Sequence, residues 1–265
     1  MINLEKPIGI FDSGVGGLTV FAQIMKTLPN ENIVYFGDTL RAPYGDKSTE
    51  QLKKYSRQII DFLKTYDIKA LVIGCGTISA NCAEYVKGLV NIPVLDMVSP
   101  SIEDIISIKA KKIGIIATKA TIDSKIHEKL IKKQNKDCKV YARSCPLFVP
   151  VVEEGFADTA ISDLVAKEYI SYFLDKDLDA MVLGCTHYPL LSSSIAKVFE
   201  SKIRLIDPAF TLSKHLLQVL TNKGLKNTQK AAPKHNFFIS SNTQKFDTIC
   251  SKALLQPFKA SIHKL

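Results

Sequence analysis

Short apolar runs alternate with longer amphipathic stretches along the 265-residue chain. The runs Ile8–Phe11, Ile33–Phe36, Ala70–Ile73, Val94–Leu95, Ile113–Ile116, Val140–Tyr141, Ala180–Leu183 and Arg204–Ile206 are predicted strands. Between them, Gly17–Lys26, Thr49–Tyr66, Ala80–Gly88, Ser101–Ile108, Thr121–Gln134, Asp158–Leu174 and Ser192–Glu200 carry apolar residues at helical spacing. Strands separated by such helices form βαβ units and pair in parallel, so the expected class is α/β.

The same pattern occurs twice. IGIFDSG at Ile8 matches IGIIATK at Ile113, an offset of 105, and VYF at Val34 matches VYA at Val140, an offset of 106. ALVIGCGT at Ala70 matches AMVLGCTH at Ala180, offset 110, and IPVLD at Ile92 matches IRLID at Ile203, offset 111. Four strands recurring in one order at nearly constant spacing imply two similar α/β domains related by a pseudo-twofold repeat. They are expected to have mainly parallel sheets and to face each other across a cleft. The stretch 209–265 exceeds what the second copy needs. It is expected to cross back and complete the first domain, with the strand His235–Ser240 and a closing helix. The expected division is 1–98 with 209–265, and 99–208.

Composition narrows the function classes. Hydrophobic residues make up 46% and charged residues 23%, which excludes a disordered chain. No run approaches the roughly 18 apolar residues of a membrane span. The N-terminus passes straight into a strand without a signal peptide, so the expected compartment is the cytoplasm, with reduced cysteines. The net charge of +9 is the one compositional hint of a nucleic-acid partner. Its densest part is the lysine series from Lys109 to Lys139. Aromatic residues and arginine are scarce there, so a solvated helix face is the expected reading, and a nucleic-acid partner is not expected.

The repeat also exposes the chemistry. Ligands of open α/β sheets bind beyond the carboxyl ends of the strands. Both copies place a Gly-Cys pair there, Gly74-Cys75 and Gly184-Cys185. Each thiol sits about where a helix N-terminus is expected, a setting that lowers a thiol pKa. Cys82, Cys138, Cys145 and Cys250 have no repeat mates and read as small buried hydrophobes. Two opposed thiols suit a disulfide, a metal site or proton transfer. A reducing compartment argues against the first. Cys75, Cys185 and His187 without a CxxC pair argue against the second, so no metal is expected. The third, removal of a proton from one face of a carbon centre and delivery to the other, inverts the centre.

The neighbours fit an amino-acid ligand. Asp12-Ser13-Gly14-Val15-Gly16-Gly17 follows the first strand, and its glycines let backbone N–H groups approach an anion. It is not the dinucleotide GxGxxG. Asp12 suits an ammonium or a thiol proton. Thr77, Thr118 and Thr186 offer hydroxyls to a carboxylate, His187 can trade a proton with Cys185, and Pro43-Tyr44-Gly45 forms a loop after Asp38.

FDSGVGGLTV, YFGDTLRAPYGDKS, CPLFVPVVEEG and LGCTHYPLL resemble, in order and spacing, the signature segments of the glutamate racemases of the aspartate/glutamate racemase family. The resemblance covers essentially the whole chain. It implies two α/β domains facing a cleft, no cofactor, a homodimer, and interconversion of L- and D-glutamate for bacterial peptidoglycan synthesis. By the resemblance, Cys75 and Cys185 are the acid/base thiols, assisted by Asp12 and His187, with Glu153 a further ionisable neighbour. Ser13, Tyr44, Gly45, Gly76, Thr77, Thr118 and Thr186 match substrate-contacting positions, as do Asp12 and His187. The chain is expected to lack the N-terminal extension of members activated by a cell-wall precursor. One position departs: Gly76 stands where the family has Asn. Restoring that side chain is expected to raise kcat/KM by about ten- to a hundredfold, the worth of one charge-assisted hydrogen bond. The alternatives are a weakened racemase acting on another small acidic amino acid, or a binding role for the basic surface. A pyridoxal enzyme is disfavoured, because no lysine occupies a repeat-matched strand end.

Overall fold

In the computed structural model, residues 3–229, 231–241, 246–247, 251 and 259–265 are described. The first half contains β1 (Ile8–Asp12), α1 (Gly17–Thr27), β2 (Ile33–Gly37), α2 (Thr49–Lys64), β3 (Ala70–Ile73), α3 (Gly76–Lys87) and β4 (Val94–Leu95). The second contains α4 (Val98–Ser107), β5 (Lys112–Ala117), α5 (Lys119–Ser124), α6 (Ile126–Gln134), β6 (Lys139–Ser144), α7 (Phe148–Glu153), α8 (Ala160–Ile170), β7 (Ala180–Leu183), α9 (Ser192–Val198) and β8 (Arg204–Ile206). The chain then returns through α10 (Pro208–Asn222) to β9 (His235–Ile239) and β10 (Ser261–Ile262).

The strands form two sheets, ordered β10-β9-β2-β1-β3-β4 and β6-β5-β7-β8. Every described pairing is parallel. The inner order of the first sheet, β2-β1-β3-β4, is repeated by β6-β5-β7-β8 in the second. The sequence repeat is thus a repeat of topology. β9 adds beside β2, with Phe237 opposite Tyr35, so the returning chain extends the first sheet. Cys250 and most of the expected closing helix lie outside the described residues.

Both faces of each sheet are covered, which is why the inner strands read as unbroken apolar runs. In β1, Ile8 and Ile10 point to the face packed by α1 and α10, and Phe11 to the face packed by α2 and α3. In β7, Ala180 and Val182 face α4 and α6, whereas Met181 and Leu183 face α7, α8 and α9. Three departures from the sequence pattern have local causes. The expected helix 121–134 breaks at Lys125, which adopts a left-handed conformation with φ 55° and divides α5 from α6. α3 begins four residues earlier than its apolar periodicity, because Cys75 ends the strand and the helix starts at once. α7 was hidden in the proline-containing stretch after Cys145. On α6, Lys129, Lys132 and Lys133 are exposed around buried Ile131, the solvated face expected of the lysine series.

At the amino end of the first sheet, Lys69 and Glu31 form a buried ion pair, Nζ to Oε2 at 2.5 Å, with side chains 2% and 1% exposed. Lys69 Nζ also donates to the Leu4 carbonyl at 2.7 Å, and Glu31 Oε1 accepts from the Asn227 amide at 2.8 Å. One charge pair thus ties the chain start, two sheet loops and the returning segment. Truncating one partner strands a buried charge. Lys69→Met is expected to cost about 3–5 kcal/mol, and Lys69→Met with Glu31→Leu markedly less, measured by urea unfolding. A single variant as stable as the parent contradicts this assignment.

Candidate active site

The carboxyl ends of the two sheets meet. β3 delivers Cys75 and β7 delivers Cys185, and both thiols line one enclosed pocket with Ser13, Pro43, Tyr44, Gly45, Gly76, Thr77, Thr118, Val149, Thr186 and His187. Its open volume is about 10 Å³, close to that of a single water. Of the residues singled out in the sequence, Asp12 and Glu153 stand behind this lining and the others form it.

The two thiols are equivalent in the repeat and different in surroundings. Cys75 is the N-cap of α3 and makes no side-chain cap hydrogen bond, but the Ile78 and Thr77 amides of the first turn lie close enough to act on its sulfur. Those amides pull its pKa down, as a helix N-terminus should. Burial, then the Asp12 carboxylate, outweigh them and push the thiol up to about 12. Cys75 is therefore a neutral thiol in the closed site, contrary to the expectation of a lowered pKa. Its sulfur lies 4.0 Å from Ser13 Oγ. Cys185 does not cap an α-helix. It is followed by Thr186, His187 and a short 3-10 turn, Tyr188–Leu191, with α9 starting only at Ser192. In place of helix amides, Cys185 has an imidazole: Sγ is 3.7 Å from His187 Nδ1.

His187 Nε2 is 3.0 Å from Glu153 Oε1 at the end of α7. Burial acts to lower the His187 pKa, but the bonds to Cys185 and Glu153 win and hold it well above its ordinary value. Asp12 is fully buried, and burial raises its carboxyl above the usual range. His187, the Gly14 amide and the Thr186 hydroxyl oppose that rise. Asp12 Oδ1 accepts from Gly14 N at 2.8 Å, and Oδ2 from Thr186 Oγ1 at 3.1 Å across the two halves.

The hydroxyls form a chain. Thr77 Oγ1 is 2.9 Å from Thr118 Oγ1, which is 2.9 Å from Thr121 Oγ1. Asn81 Nδ2 donates to the Thr77 carbonyl at 2.9 Å and the Ala120 carbonyl at 3.3 Å, binding α3 to α5. Thr121, Asn81, Asp38 and Val149 were missed by sequence reasoning. Asp38 had a usable signal: it directly follows β2, as Asp12 ends β1.

Beside the anion cradle its pattern suggests, glycine meets a packing constraint here. A Cβ at Gly16 would fall within 3.0 Å of His187 Nδ1 and Thr186 Oγ1, and one at Gly14 within 3.0 Å of Glu153 Oε1. The loop after β1 is glycine-rich so that the second half's side chains can press against it. Gly76 obeys the same rule more strictly. A Cβ there would fall within 3.0 Å of the Gly184 carbonyl oxygen and 3.6 Å from Cys185 Cα. The obstacle is backbone, which cannot rotate aside. This contact weighs against the expectation that Asn at 76 improves the site: in this arrangement a side chain at 76 requires the strand ends to shift.

The family model described as Asp/Glu/Hydantoin racemase matches residues 12–214. A glutamate racemase from Neisseria meningitidis serogroup B is 41% identical over 255 residues, covering 96% of this chain and 94% of its own length. The crystal structure of glutamate racemase from Francisella tularensis in complex with D-glutamate superposes with a TM-score of 0.91 at 40% identity, over 99% of this chain and 98% of that one. A glutamate racemase isoform from Bacillus anthracis gives 0.93 at 34% identity, again over 99% and 98%. The two parallel sheets, the repeated strand order and likeness over nearly the full length agree, and the chain belongs to the glutamate racemases of the Asp/Glu/Hydantoin racemase family.

Proposed function

We propose that this protein interconverts L- and D-glutamate, without a cofactor, by proton exchange at Cα between Cys75 and Cys185. The observation that carries the reading is the meeting of two repeat-equivalent thiols in one enclosed site, each with its own acid–base partner. One sulfur, as thiolate, takes the Cα proton, and the electron pair left behind spreads into the α-carboxylate. The opposite thiol gives its proton to the other face and becomes the thiolate. One S–H bond forms and one breaks, so the site returns in mirror state. The reverse substrate finds it ready.

Each thiol needs help of a different kind. Cys75, neutral when the site is closed, loses its proton more readily beside a bound ammonium, with Asp12 as the neighbouring acceptor. Cys185 works with His187, whose charge Glu153 sustains. The hydroxyls of Ser13, Thr77, Thr118 and Thr186, the Tyr44-Gly45 wall and the backbone at Gly76 are the proposed contacts for the carboxylates and ammonium. The pocket's small volume supports a cycle in which residues 1–98 with 209–265 part from 99–208 to admit substrate. We assign the protein to the cytoplasm, as a homodimer supplying D-glutamate for peptidoglycan. Among the described residues no helix is long and apolar enough to cross a membrane.

Three outcomes test the reading. Cys75→Ala and Cys185→Ala should each abolish racemisation followed by circular dichroism of D-glutamate. Each Cys→Ser variant should exchange the Cα proton of one enantiomer only, followed by deuterium incorporation. A Cys→Ala protein that racemises at the parent rate ends the two-base mechanism.

Gly76→Ala and Gly76→Asn should both lower kcat/KM. Overpacking costs about 1–3 kcal/mol, which is roughly fivefold to 150-fold. A rise in kcat/KM for Gly76→Asn would show instead that the closed contact with Gly184 is not the productive one.

His187 carries a raised pKa, so its charge stabilises the fold fully below pH 6.5, the ordinary histidine value, and less as pH rises through the folded pKa. Thermal midpoints of the parent should therefore fall relative to those of Glu153→Gln as pH increases above 6.5. Parallel curves for the two proteins would mean that Glu153 does not sustain the imidazolium.

A further inference from the structure

Asp38 lies one residue beyond β2 and is completely buried. Its amide donates to the Asp12 carbonyl at 2.9 Å, which places it beside the first catalytic strand end. Its carboxylate gathers three donors, two from its own loop and one from the returning chain. Tyr44 Oη makes a short hydrogen bond to Oδ2. Arg41 Nε lies 2.6 Å from the same oxygen. Ser240 Oγ, just past β9, donates to Oδ1 at 2.8 Å. Each donor is itself fixed. Arg41 donates to Gln58 Oε1 at 2.6 Å and stacks 4.2 Å over the Tyr55 ring. Ser240 Oγ accepts the Leu40 amide at 2.8 Å, and the Ser241 amide donates to Thr39 Oγ1 at 3.0 Å.

The segment held this way, residues 38–46, carries Pro43, Tyr44 and Gly45 into the pocket wall beside Cys75. The Tyr44 hydroxyl is occupied by Asp38, so Tyr44 acts as a fixed wall. It is not a free acid. A buried carboxylate with no structural task would be costly, and the sheet does not require one at this position.

We propose that Asp38 is a positioning residue: through Tyr44, Arg41 and Ser240 it locks the 38–46 loop as the substrate-pocket wall and makes the carboxy-terminal strand part of the site's framework. The proposal rests on the racemase reading for its kinetic consequence only. With Asp38 removed the loop loosens, glutamate is held less well, and Cys75 becomes reachable from solvent. Cys138, buried in the second half, does not change.

The test uses Asp38→Asn, Asp38→Ala, Tyr44→Phe and the milder Ser240→Ala in the full chain. Two readouts are taken: KM and kcat for D-glutamate, and iodoacetamide alkylation of Cys75 against Cys138, followed by peptide mass spectrometry. Asp38→Ala should raise KM and speed Cys75 alkylation by about tenfold or more, with a smaller loss in kcat. Asp38→Asn and Ser240→Ala should fall between it and the parent. Tyr44→Phe combined with Asp38→Asn should be less than additive, because both remove the same contact. The proposal is overturned if KM and Cys75 alkylation stay within twofold of the parent. It is equally overturned if Cys138 alkylation rises in step with Cys75, which marks general unfolding. If the parent shows no racemase activity, the functional reading fails, and the alkylation ratio still decides the role of Asp38.

Discussion

The structure depends on one close approach. The carboxyl ends of β3 and β7 meet backbone to backbone, with Gly76 against the Gly184 carbonyl. A side chain at 76 would meet the Gly184 carbonyl, so the two strand ends would have to shift to admit it. Glycine at 14, 16 and 76 removes the side chains that would hold the halves open. The contacts made possible are polar and cross the interface, among them Thr186 to Asp12 and Thr77 to Thr118. The close approach and the polar contacts across it are thus consequences of the same missing Cβ atoms.

The repeat supplies symmetry of backbone, and the surroundings break it. Both strands end in Gly-Cys, but one thiol sits under helix amides beside a carboxylate, and the other beside an imidazole backed by a glutamate. Helix amides alone would favour a thiolate at Cys75. Burial and Asp12 reverse that preference, which shows that desolvation is the larger effect in this pocket. The helix amides still lower the Cys75 pKa, but here burial and Asp12 outweigh them.

Much of this was legible in the sequence. The inner strands were readable because they are covered on both faces and so appear as unbroken apolar runs, and the four matched offsets gave the doubled topology. Cys75, Cys185 and the threonines were legible because strand ends are where such folds place chemistry. Other features depended on tertiary contacts that leave no local trace. The break at Lys125 is a single left-handed residue inside a good helical pattern. The short turn after His187 looks like a helix start in sequence and is not one. The cost of a side chain at Gly76 exists only because residue 184 arrives there from the other half. Asp38 did carry a local sign, its place directly after β2, but its role depends on partners 3, 6 and 202 residues away.

That last separation bears on why the chain returns at all. The second sheet has four strands and the first has six. The two extra strands come from the carboxy-terminal segment and pair on the far side of β2, away from β3 and its thiol. They are not needed to build the repeat. They cover the outer edge of β2, which the second half leaves as its edge strand β6. The same step brings Ser240 to the end of β2, where Asp38 waits. The second half has no equivalent of the Asp38–Tyr44 wall. There the corresponding side of the pocket is filled by α7, which carries Val149 and Glu153. One half therefore closes its side with a loop pinned by a distant strand, and the other with a helix. A racemase must admit both hands of its substrate between two similar bases while holding one side chain in a fixed direction. Under the two-thiol mechanism proposed above, walls of unequal construction around thiols of equal placement meet both demands.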